Sequence, residues 1–339
     1  MPDFQLATAV AFTIFNRPDT TARVFAEIAK AKPPKLLVVG DGPRFDRPGE
    51  AEKVSATRDI ISRVDWDCEV LTNYSEVNLG CKRRVSSGLD WVFEQVEEAI
   101  ILEDDCLPDS TFFRFCQEML EHYRHDQRIG MVSCANFQFG HRRNDNSYYF
   151  SKYSFIWGWA SWRDRWIGSY DVAMAKWPRI SDEGWLADMV GSTHEVRYWQ
   201  RVFERVYRGE IDTWDYQWFF ANWLEGRVNI VPTVNLVSNI GHGENATHTT
   251  YNKSHLANMT RSQMSFPINH SPGIFNDIQA DQFTDLVYFK NISPTHAYQI
   301  VRKKTRKVIR QMMRERLREN IRGMIPGNIR AILNRLLLR

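Results

Sequence analysis

The chain has 339 residues, of which 43% are hydrophobic and 25% charged, and its net charge at pH 7 is +3. This composition is typical of a globular protein that buries a substantial core, in one large α/β domain or two ordinary ones. The five cysteines form no CxxC pair and have no zinc-site spacing, so we expect free thiols in a reducing cytosol.

Strands and helices alternate along the first half of the sequence. The apolar run from Val10 to Phe15 is too short to cross a bilayer and follows Asp3 rather than a basic segment, so it is interpreted as the first strand and not as a secretion signal. Asp19 is predicted to cap the next helix, and Pro33-Pro34 to end it. The other predicted elements are strands at 36–39, 69–72, 99–102 and 130–133 and helices at 50–63, 85–96 and 112–123. This alternation predicts parallel strands joined by right-handed crossovers.

Three consecutive carboxylates, Glu103, Asp104 and Asp105, follow the predicted strand at 99–102. Parallel sheets bind ligands just outside the carboxyl ends of their strands. Adjacent negative charges repel one another unless a positive group neutralises them, and carboxylate oxygens suit Mg²⁺ or Mn²⁺. The triplet is therefore a candidate metal site. The alternative is a solvated acidic loop that caps the next helix.

Charge is distributed unevenly along the chain. Residues 302–339 contain 13 Lys or Arg against two Glu, so the remainder of the chain is net negative. Apolar residues among these arginines are typical of a basic amphipathic helix lying on an anionic membrane surface. A helix docked on an acidic face of the same protein is the alternative. Nucleic-acid binding is disfavoured, because no aromatic residue interleaves the basic ones.

Ten of the 12 tryptophans lie between Trp157 and Trp223. Tryptophan stacks on sugar rings and on bases, but it is also an ordinary core residue. We expect most members of this cluster in the core, and one or two of them along a binding groove.

Seven short motifs occur in order along residues 8–250. They are NRPD after strand one, GDGPR after strand two, NLGCKRRVSSGLDWVFE, ILEDDCLPDSTFF, WGWASW, TWDYQW and VNLVSNIGHGENATHT. Together they resemble nucleotide-sugar glycosyltransferases of the GT-A fold, most closely the bacterial polysaccharide glycosyltransferases and the N-acetylglucosaminyltransferase I group. The resemblance implies an α/β fold with a Rossmann-like, mixed and mainly parallel central sheet flanked by helices.

The resemblance also implies a nucleotide-sugar-binding half at 1–140 and an acceptor-binding and catalytic half at 141–265. The C-terminal extension with the basic helix, at 266–339, lies outside the resemblance. The implied enzyme is a hexosyltransferase or N-acetylhexosaminyltransferase that uses a UDP-sugar and Mn²⁺ or Mg²⁺, by an inverting single displacement. It would extend a glycan acceptor at the cytoplasmic face of the membrane, held there through 302–339, with no nucleic-acid partner.

In such enzymes an acidic motif, often written DxD, holds the metal that bridges the donor diphosphate. By this resemblance Asp105 ligates the metal, whereas Glu103 and Asp104 contact the sugar and ribose hydroxyls of the donor. A leaving diphosphate gains negative charge in the transition state, and a bound cation stabilises that charge without a proton transfer.

Four further residues are expected at the nucleotide sugar. Asn16 and Arg17 match the base-and-phosphate corner after strand one, and Asp41 matches the residue that accepts the imide N–H of uracil. Arg83 belongs to the basic run at 82–84, which can neutralise diphosphate oxygens. The alternative for this run is a solvated start of a helix.

An inverting transferase also needs a base that removes the proton of the acceptor hydroxyl. The resemblance places this base at Asp215, at the start of a predicted helix. Its alternative role is helix capping, for which Thr213 competes, and Asp212 is the nearest substitute base. His248 matches a late histidine that some GT-A enzymes bring to the metal, but a lone histidine is more often structural.

Other classes of protein fit the sequence less well. No GxxxxGK[ST] occurs, which excludes an ordinary P-loop NTPase, and neither a nucleophilic DxD after strand one nor a GxSxG supports a phosphatase or hydrolase. A sugar nucleotidyltransferase needs a glycine-rich basic loop after strand one, which is missing. Outside the enzymes, the alternative is a non-catalytic membrane-associated scaffold of a glycan assembly complex.

Overall fold

The structure of the chain is a computed structural model, which describes residues 4–241, 256 and 258–289. The compact unit that contains them ends at Phe289. His248 and the basic segment 302–339 lie outside the described residues, so the predictions made for them stay predictions, as do the boundaries at 140 and 265. All five cysteines are described, and they are free thiols as expected.

The described chain contains a mixed central sheet and a small second ladder. The strands are β1 Val10–Ile14, β2 Lys35–Gly40, β3 Glu69–Tyr74, β4 Glu98–Glu103, β5 Cys106–Pro108, β6 Ile129–Ser133, β7 Tyr148–Ser151, β8 Trp159–Trp162, β9 Val228–Pro232 and β10 Val237–Asn239. Eight of them form the central sheet in the order β3-β2-β1-β4-β8-β6-β9-β7, and β5 pairs with β10 separately.

The first four strands of the sheet are parallel, and the direction changes beyond them. β1 pairs in parallel with both β2 and β4, and β2 with β3. β8 is antiparallel to β4 and β6, whereas β9 is parallel to β6 and antiparallel to β7. The small ladder of β5 and β10 is antiparallel.

Helices connect the strands and flank the sheet. They are α1 Pro18–Ala31, α2 Glu50–Asp59, α3 Gly80–Gln95, α4 Phe112–Tyr123, α5 Arg163–Trp166, α6 Trp177–Asp182, α7 Leu186–Val190, α8 Thr193–Tyr207, α9 Asp215–Leu224 and α10 Ile278–Val287. No helix among the described residues is long and apolar enough to cross a membrane.

Alternation along β1 explains why helices cover both faces of the sheet. Val10, Phe12 and Ile14 pack in one buried cluster with α1 and α4, whereas Ala11 packs in another with α3. Successive side chains of a strand point to opposite faces, so a strand that is apolar throughout requires cover on both sides. The predicted mixed, mainly parallel central sheet flanked by helices is confirmed.

The start of α1 differs from the prediction that Asp19 caps it, which is wrong. The N-cap residue is Arg17, and no side chain forms a capping hydrogen bond there. Pro18 lacks an N–H, which removes one of the donors that a cap would satisfy. Asp19 lies in the first turn, where a carboxylate interacts favourably with the helix dipole.

Most tryptophans are core residues, as expected. Trp159, Trp166 and Trp218 are fully buried together beneath the antiparallel region of the sheet, and Trp214 joins them. Their ring centroids are 5.1 to 6.3 Å apart. This rigid cluster supports the start of α9.

Buried carboxylates fix α10 against β7. Asp281 accepts hydrogen bonds from the Ser151 hydroxyl and from the backbone N–H of Lys152, and Asp285 accepts one from the Tyr153 hydroxyl. Burial raises the pKa of Asp281 to about 6, although the bond from Ser151 and the nearby Lys152 lower it. The last turn of α10 is thereby held at a defined place.

This buried carboxyl predicts a pH dependence of stability. Because the pKa of Asp281 is higher in the folded protein than its ordinary value of 3.8, the folded state binds the proton more tightly, and stability falls as the pH rises from about 4 to about 6. The Asp281 contribution to this loss is on the order of 3 kcal/mol. We expect Asp281→Asn to remove it, seen as a flatter pH profile in urea unfolding. Parallel profiles of both proteins would contradict this prediction.

Candidate active site

A cleft of about 610 Å³ opens at the carboxyl ends of β1, β2 and β4 and faces the first residues of α9. Its walls bring together six of the residues predicted for the site from sequence: Arg17, Asp41, Glu103, Asp104, Asp105 and Asp215. These residues are up to 198 positions apart in the chain, so the sheet order is what assembles them. Asn16 and Arg83 do not line the cleft.

Arg17 neutralises two members of the acidic triplet. Its Nη1 donates to Asp105 Oδ2 at 2.9 Å, and its Nη2 donates to Asp104 Oδ1. The backbone N–H of Phe15 donates to the other oxygen of Asp104 at 3.2 Å. The end of β1 therefore binds the turn that follows β4.

The surroundings of the triplet disfavour its negative charge. Burial, with the neighbouring Asp105 and Asp104, raises the pKa of Glu103 to about 8, against the opposing effect of Arg17. Burial also raises the pKa of Asp104 to about 6 against the opposing effect of Arg17. Carboxylates with raised pKa values in a cleft indicate a site that gains from a bound cation.

Backbone packing fixes Asp105 from the side opposite β4. The Ile240 N–H donates to the Asp105 carbonyl at 2.8 Å, and Gly241 follows directly. A Cβ atom on Gly241 would lie 2.1 Å from Asp105 Oδ2 and 2.6 Å from Arg17 Nη1. Only glycine allows the chain to pass this close to the ion pair.

The oxygen donors fit a hard divalent cation. Asp104 uses both oxygens in hydrogen bonds within the protein, whereas Asp105 Oδ1 has only a weak 3.5 Å contact with the Cys106 thiol among its described contacts. Within the described residues no group of three or more His, Cys, Asp or Glu is placed to hold a metal. One or two carboxylates suit a cation whose other ligands are phosphate oxygens and water.

Asp41 connects the loops at the ends of β2 and β3. Its two oxygens accept hydrogen bonds from the N–H groups of Gly42, Leu79 and Gly80 and from the Asn78 amide, at 2.9 to 3.2 Å. Burial raises its pKa, which these backbone bonds oppose. The role in base recognition stays a prediction, and a base N–H would have to replace one of these four bonds.

The corner after β1 contains a further charged pair that the sequence analysis missed. Asn16 Nδ2 donates to Glu50 at 2.8 Å, and Glu50 forms a salt bridge with Arg44. The Arg44 guanidinium lies over the Phe15 ring, 5.6 Å from its centroid. Arg44 and Phe15 line the cleft, so Asn16 acts on it indirectly, through Glu50.

Of the basic run at 82–84, Arg84 lines the cleft and Arg83 is exposed outside it. Arg84 Nη2 donates to the Asn73 carbonyl and to its side-chain oxygen, at 3.0 and 2.6 Å, but the buried Nε has no hydrogen-bond partner among the described residues. Side chains of successive helical residues point in directions about 100° apart. Two adjacent arginines of α3 therefore cannot both face the cleft, and Arg84 is the one that does.

Asp215 begins α9 on the opposite wall. The N-cap position belongs to Trp214, and no side chain forms a capping bond there, so the alternative capping role of Asp215 or Thr213 is not realised. The Thr213 hydroxyl donates to Asp215 instead. Asp212 lines the same wall and accepts the Lys82 N–H at 3.3 Å in the first turn of α3.

Aromatic side chains surround Asp215. Trp157, Tyr216 and Tyr288 line the cleft beside it and also the small adjoining cavity of about 30 Å³. Tyr288 follows α10 and lies outside the region of sequence resemblance, so no motif indicated it. Its ring centroid is 4.3 Å from that of Phe137. This wall has the apolar, flat surfaces on which a sugar ring can stack.

No protein-family model and no curated protein sequence matches this chain. Among solved structures it is similar to the mannosyltransferase PcManGT from Pyrobaculum calidifontis in complex with GDP-Man and Mn²⁺, at 16% identity and a TM-score of 0.35, over 50% of this chain and 49% of that one. The match therefore spans about half the length of that enzyme.

A UDP-glucose pyrophosphorylase complexed with UDP-glucose is also similar, at 8% identity and a TM-score of 0.34, over 67% of this chain and 90% of that one. Its apo form matches at 8% identity and a TM-score of 0.33, over 68% and 93%. At these identities and TM-scores the likeness identifies neither a family nor an activity for this chain.

The packing at Gly241 predicts a specific sensitivity. We expect Gly241→Ala to separate Arg17 from Asp105 and to lower the free energy of unfolding by about 1–3 kcal/mol, measured by urea denaturation. Gly273→Ala is the matched control, because its Cβ would meet only the exposed Phe275 side chain, at 3.2 Å. Equal stability of the two variants would show that the ion pair tolerates the extra methyl group.

Proposed function

We propose that this protein is a glycosyltransferase that moves a sugar from a nucleotide donor, a UDP-sugar, to a hydroxyl group of a glycan acceptor. The observation that carries the proposal is the single cleft with two chemically different walls. One wall has the acidic triplet and Arg17, and the other has Asp215 among aromatic rings. This arrangement suits a reaction in which a diphosphate leaves on one side while a hydroxyl attacks from the other.

The acidic wall supplies the chemistry for the leaving group. Asp105 would hold Mn²⁺ or Mg²⁺ together with the donor diphosphate, and the bound cation would neutralise the charge that develops there. Arg17 lies against the same carboxylates and can donate to phosphate oxygens as they arrive. Arg84 lines the same cleft and would add positive charge near the diphosphate.

Asp215 is the proposed base. The acceptor oxygen attacks the anomeric carbon from the face opposite the diphosphate as the bond to the diphosphate oxygen breaks, which inverts the configuration at that carbon. Asp215 accepts the proton of the attacking hydroxyl. Tyr216 and Tyr288 flank Asp215 and are placed to orient the acceptor ring.

A sugar nucleotidyltransferase is disfavoured by the loop after β1. Only Phe15, Asn16 and Arg17 separate the end of β1 from α1, which leaves no room for a glycine-rich phosphate loop. The non-catalytic scaffold differs from the transferase in one measurable property. A scaffold with an idle site gains no affinity for nucleotide sugars from Mn²⁺.

The two-wall arrangement predicts separable effects of two substitutions. We expect Asp105→Asn to remove the Mn²⁺-dependent component of donor affinity. Asp215→Asn should bind the donor like wild type and lower the transfer rate by about 10²- to 10⁴-fold, because only the proton acceptor is lost. Binding is measured by calorimetry and transfer by release of the nucleoside diphosphate, after a screen of UDP-, GDP- and CMP-sugars with Mn²⁺.

Two further variants make this experiment decisive. Asp182→Asn removes an exposed carboxylate on α6 and should change neither binding nor transfer. Asp212→Asn tests the nearest substitute base. Loss of transfer in Asp212→Asn together with full transfer in Asp215→Asn would reassign the base. Absence of Mn²⁺-dependent binding for every nucleotide sugar would refute the transferase itself.

We further propose that residues 302–339 attach the protein to an anionic membrane, where a membrane-bound glycan would be extended. The support is the sequence alone, with its 13 basic and two acidic residues. Deletion of this segment should reduce binding to phosphatidylglycerol vesicles at 0.15 M salt, about the physiological ionic strength, in a sedimentation assay. Neutral phosphatidylcholine vesicles provide the control. Undiminished sedimentation of the shortened protein would exclude this role.

A further inference from the structure

A second groove, of about 780 Å³, lies beside α6, α7 and the carboxyl end of α9. The walls contain the apolar Trp185 and Met189, the carboxylate Asp188, and four cations: Lys152, Lys176, Arg179 and Arg227. No step of the proposed transfer reaction uses this groove. Its size is within the range of ligand-binding clefts.

The groove is separate from the candidate active site. Asp215, at the first residue of α9, lines the cleft, whereas Trp223 and Leu224, at the end of the same helix, line the groove. Ten helical residues span about 15 Å. A ligand in the groove therefore leaves the donor and the proposed base untouched.

Trp185 is unusual among the tryptophans of this chain. All 12 lie within the described residues, and Trp185 alone is highly exposed, at 51%. Its indole N–H donates to Glu183 Oε2 at 2.6 Å, and Arg179 Nε donates to the other oxygen of Glu183 at 2.9 Å. The hydrogen bonds hold the edge of the ring and leave much of its surface in solvent. An aromatic platform fixed in this way binds a sugar ring without first losing rotamer freedom.

The charges of the groove indicate which kind of sugar it takes. Lys152 pairs with Glu195 and Arg179 with Glu183, whereas Lys176 and Arg227 form no ion pair with any described residue. The cations outnumber the carboxylates even when both pairing glutamates are counted. Burial lowers the pKa of Arg227, and the nearby Glu225 and Asp164 offset this effect only in part. A ligand with carboxylate or phosphate groups would supply further negative charge.

We propose that this groove is a second saccharide-binding site, which takes an anionic oligosaccharide with one ring stacked on Trp185 and an acidic group near Lys176 and Arg227. This site extends the proposed glycosyltransferase function, because it implies that the acceptor is an anionic glycan. Its test measures binding and does not require transfer activity. A growing anionic glycan would be retained here by units remote from the reacting hydroxyl.

The test uses hexagalacturonate as an anionic probe and maltohexaose as a neutral probe of the same length, with the full chain in 0.3 M salt and isothermal titration calorimetry. We expect hexagalacturonate to bind at least about tenfold more tightly than maltohexaose. Trp185→Ala and Lys176→Glu should each weaken its binding about tenfold or more, consistent with loss of a stacking or charged contact. The basic segment 302–339 contributes equally to every variant, so differences between variants report on the groove.

Tyr207→Ala is the matched control, because Tyr207 is an exposed aromatic residue at the end of α8, away from the groove lining. It should bind hexagalacturonate like wild type, and saturation with UDP and Mn²⁺ should not displace the probe. Trp185-independent binding, equal affinity for both hexasaccharides, or displacement by UDP would each overturn the proposal. A Trp185-dependent preference for a single-stranded oligonucleotide or for anionic vesicles would overturn it as well. Failure of donor binding alone refutes the transferase and leaves this site standing.

Discussion

The ion pairs of Arg17 with Asp104 and Asp105 are the interaction on which the candidate site depends. Three adjacent carboxylates at the end of β4 cannot be buried together without a positive partner, and Arg17 is brought to them because β1 and β4 are neighbours in parallel. Loss of one partner from such a buried arrangement typically costs about 3–5 kcal/mol, because the remaining charge stays desolvated. The same interaction therefore orders the edge of the sheet and keeps a negative site available in it.

This constraint explains how the other contacts at the cleft are arranged. The loop after β1 is short because Arg17 must reach the acidic turn, and the chain at Gly241 passes within contact distance of the pair. Asp41 has an equivalent role on the neighbouring strand β2, where it accepts four hydrogen bonds that join two loops. On the opposite wall the start of α9, where Asp215 lies, packs on buried tryptophans. The cleft thus has an electrostatic side and a packed aromatic side.

Local patterns in the sequence predicted the elements well. The apolar strands at β1, β2 and β4 and the buried stripe of α3 appear where their periodicity indicated, because those signals depend only on which face is covered. The position of the acidic triplet followed from the predicted end of the apolar strand before it. Predictions that depended on single residues were less secure. Asp19 is not the cap of α1, and within the basic run it is Arg84 rather than Arg83 that lines the cleft.

Features created by long-range contacts were not predictable from local patterns. Tyr288 reaches the cleft only because buried carboxylates dock α10 on β7, and the hydrogen bond from Asn16 to Glu50 joins residues 34 positions apart in the sequence. Similarly, nothing in the run DEGWLADM distinguishes Trp185 from the buried tryptophans around it. Its exposure and its hydrogen bond to Glu183 are properties of the folded chain, which a sequence pattern does not specify.

The ladder between β5 and β10 has a consequence for the order in which the protein is made. β5 directly follows the acidic triplet, but its partner β10 is synthesised about 130 residues later. On the ribosome, the four parallel strands can fold while the turn that carries Asp105 still lacks its supporting strand. The acidic site therefore reaches its final geometry only when nearly the whole described chain has emerged.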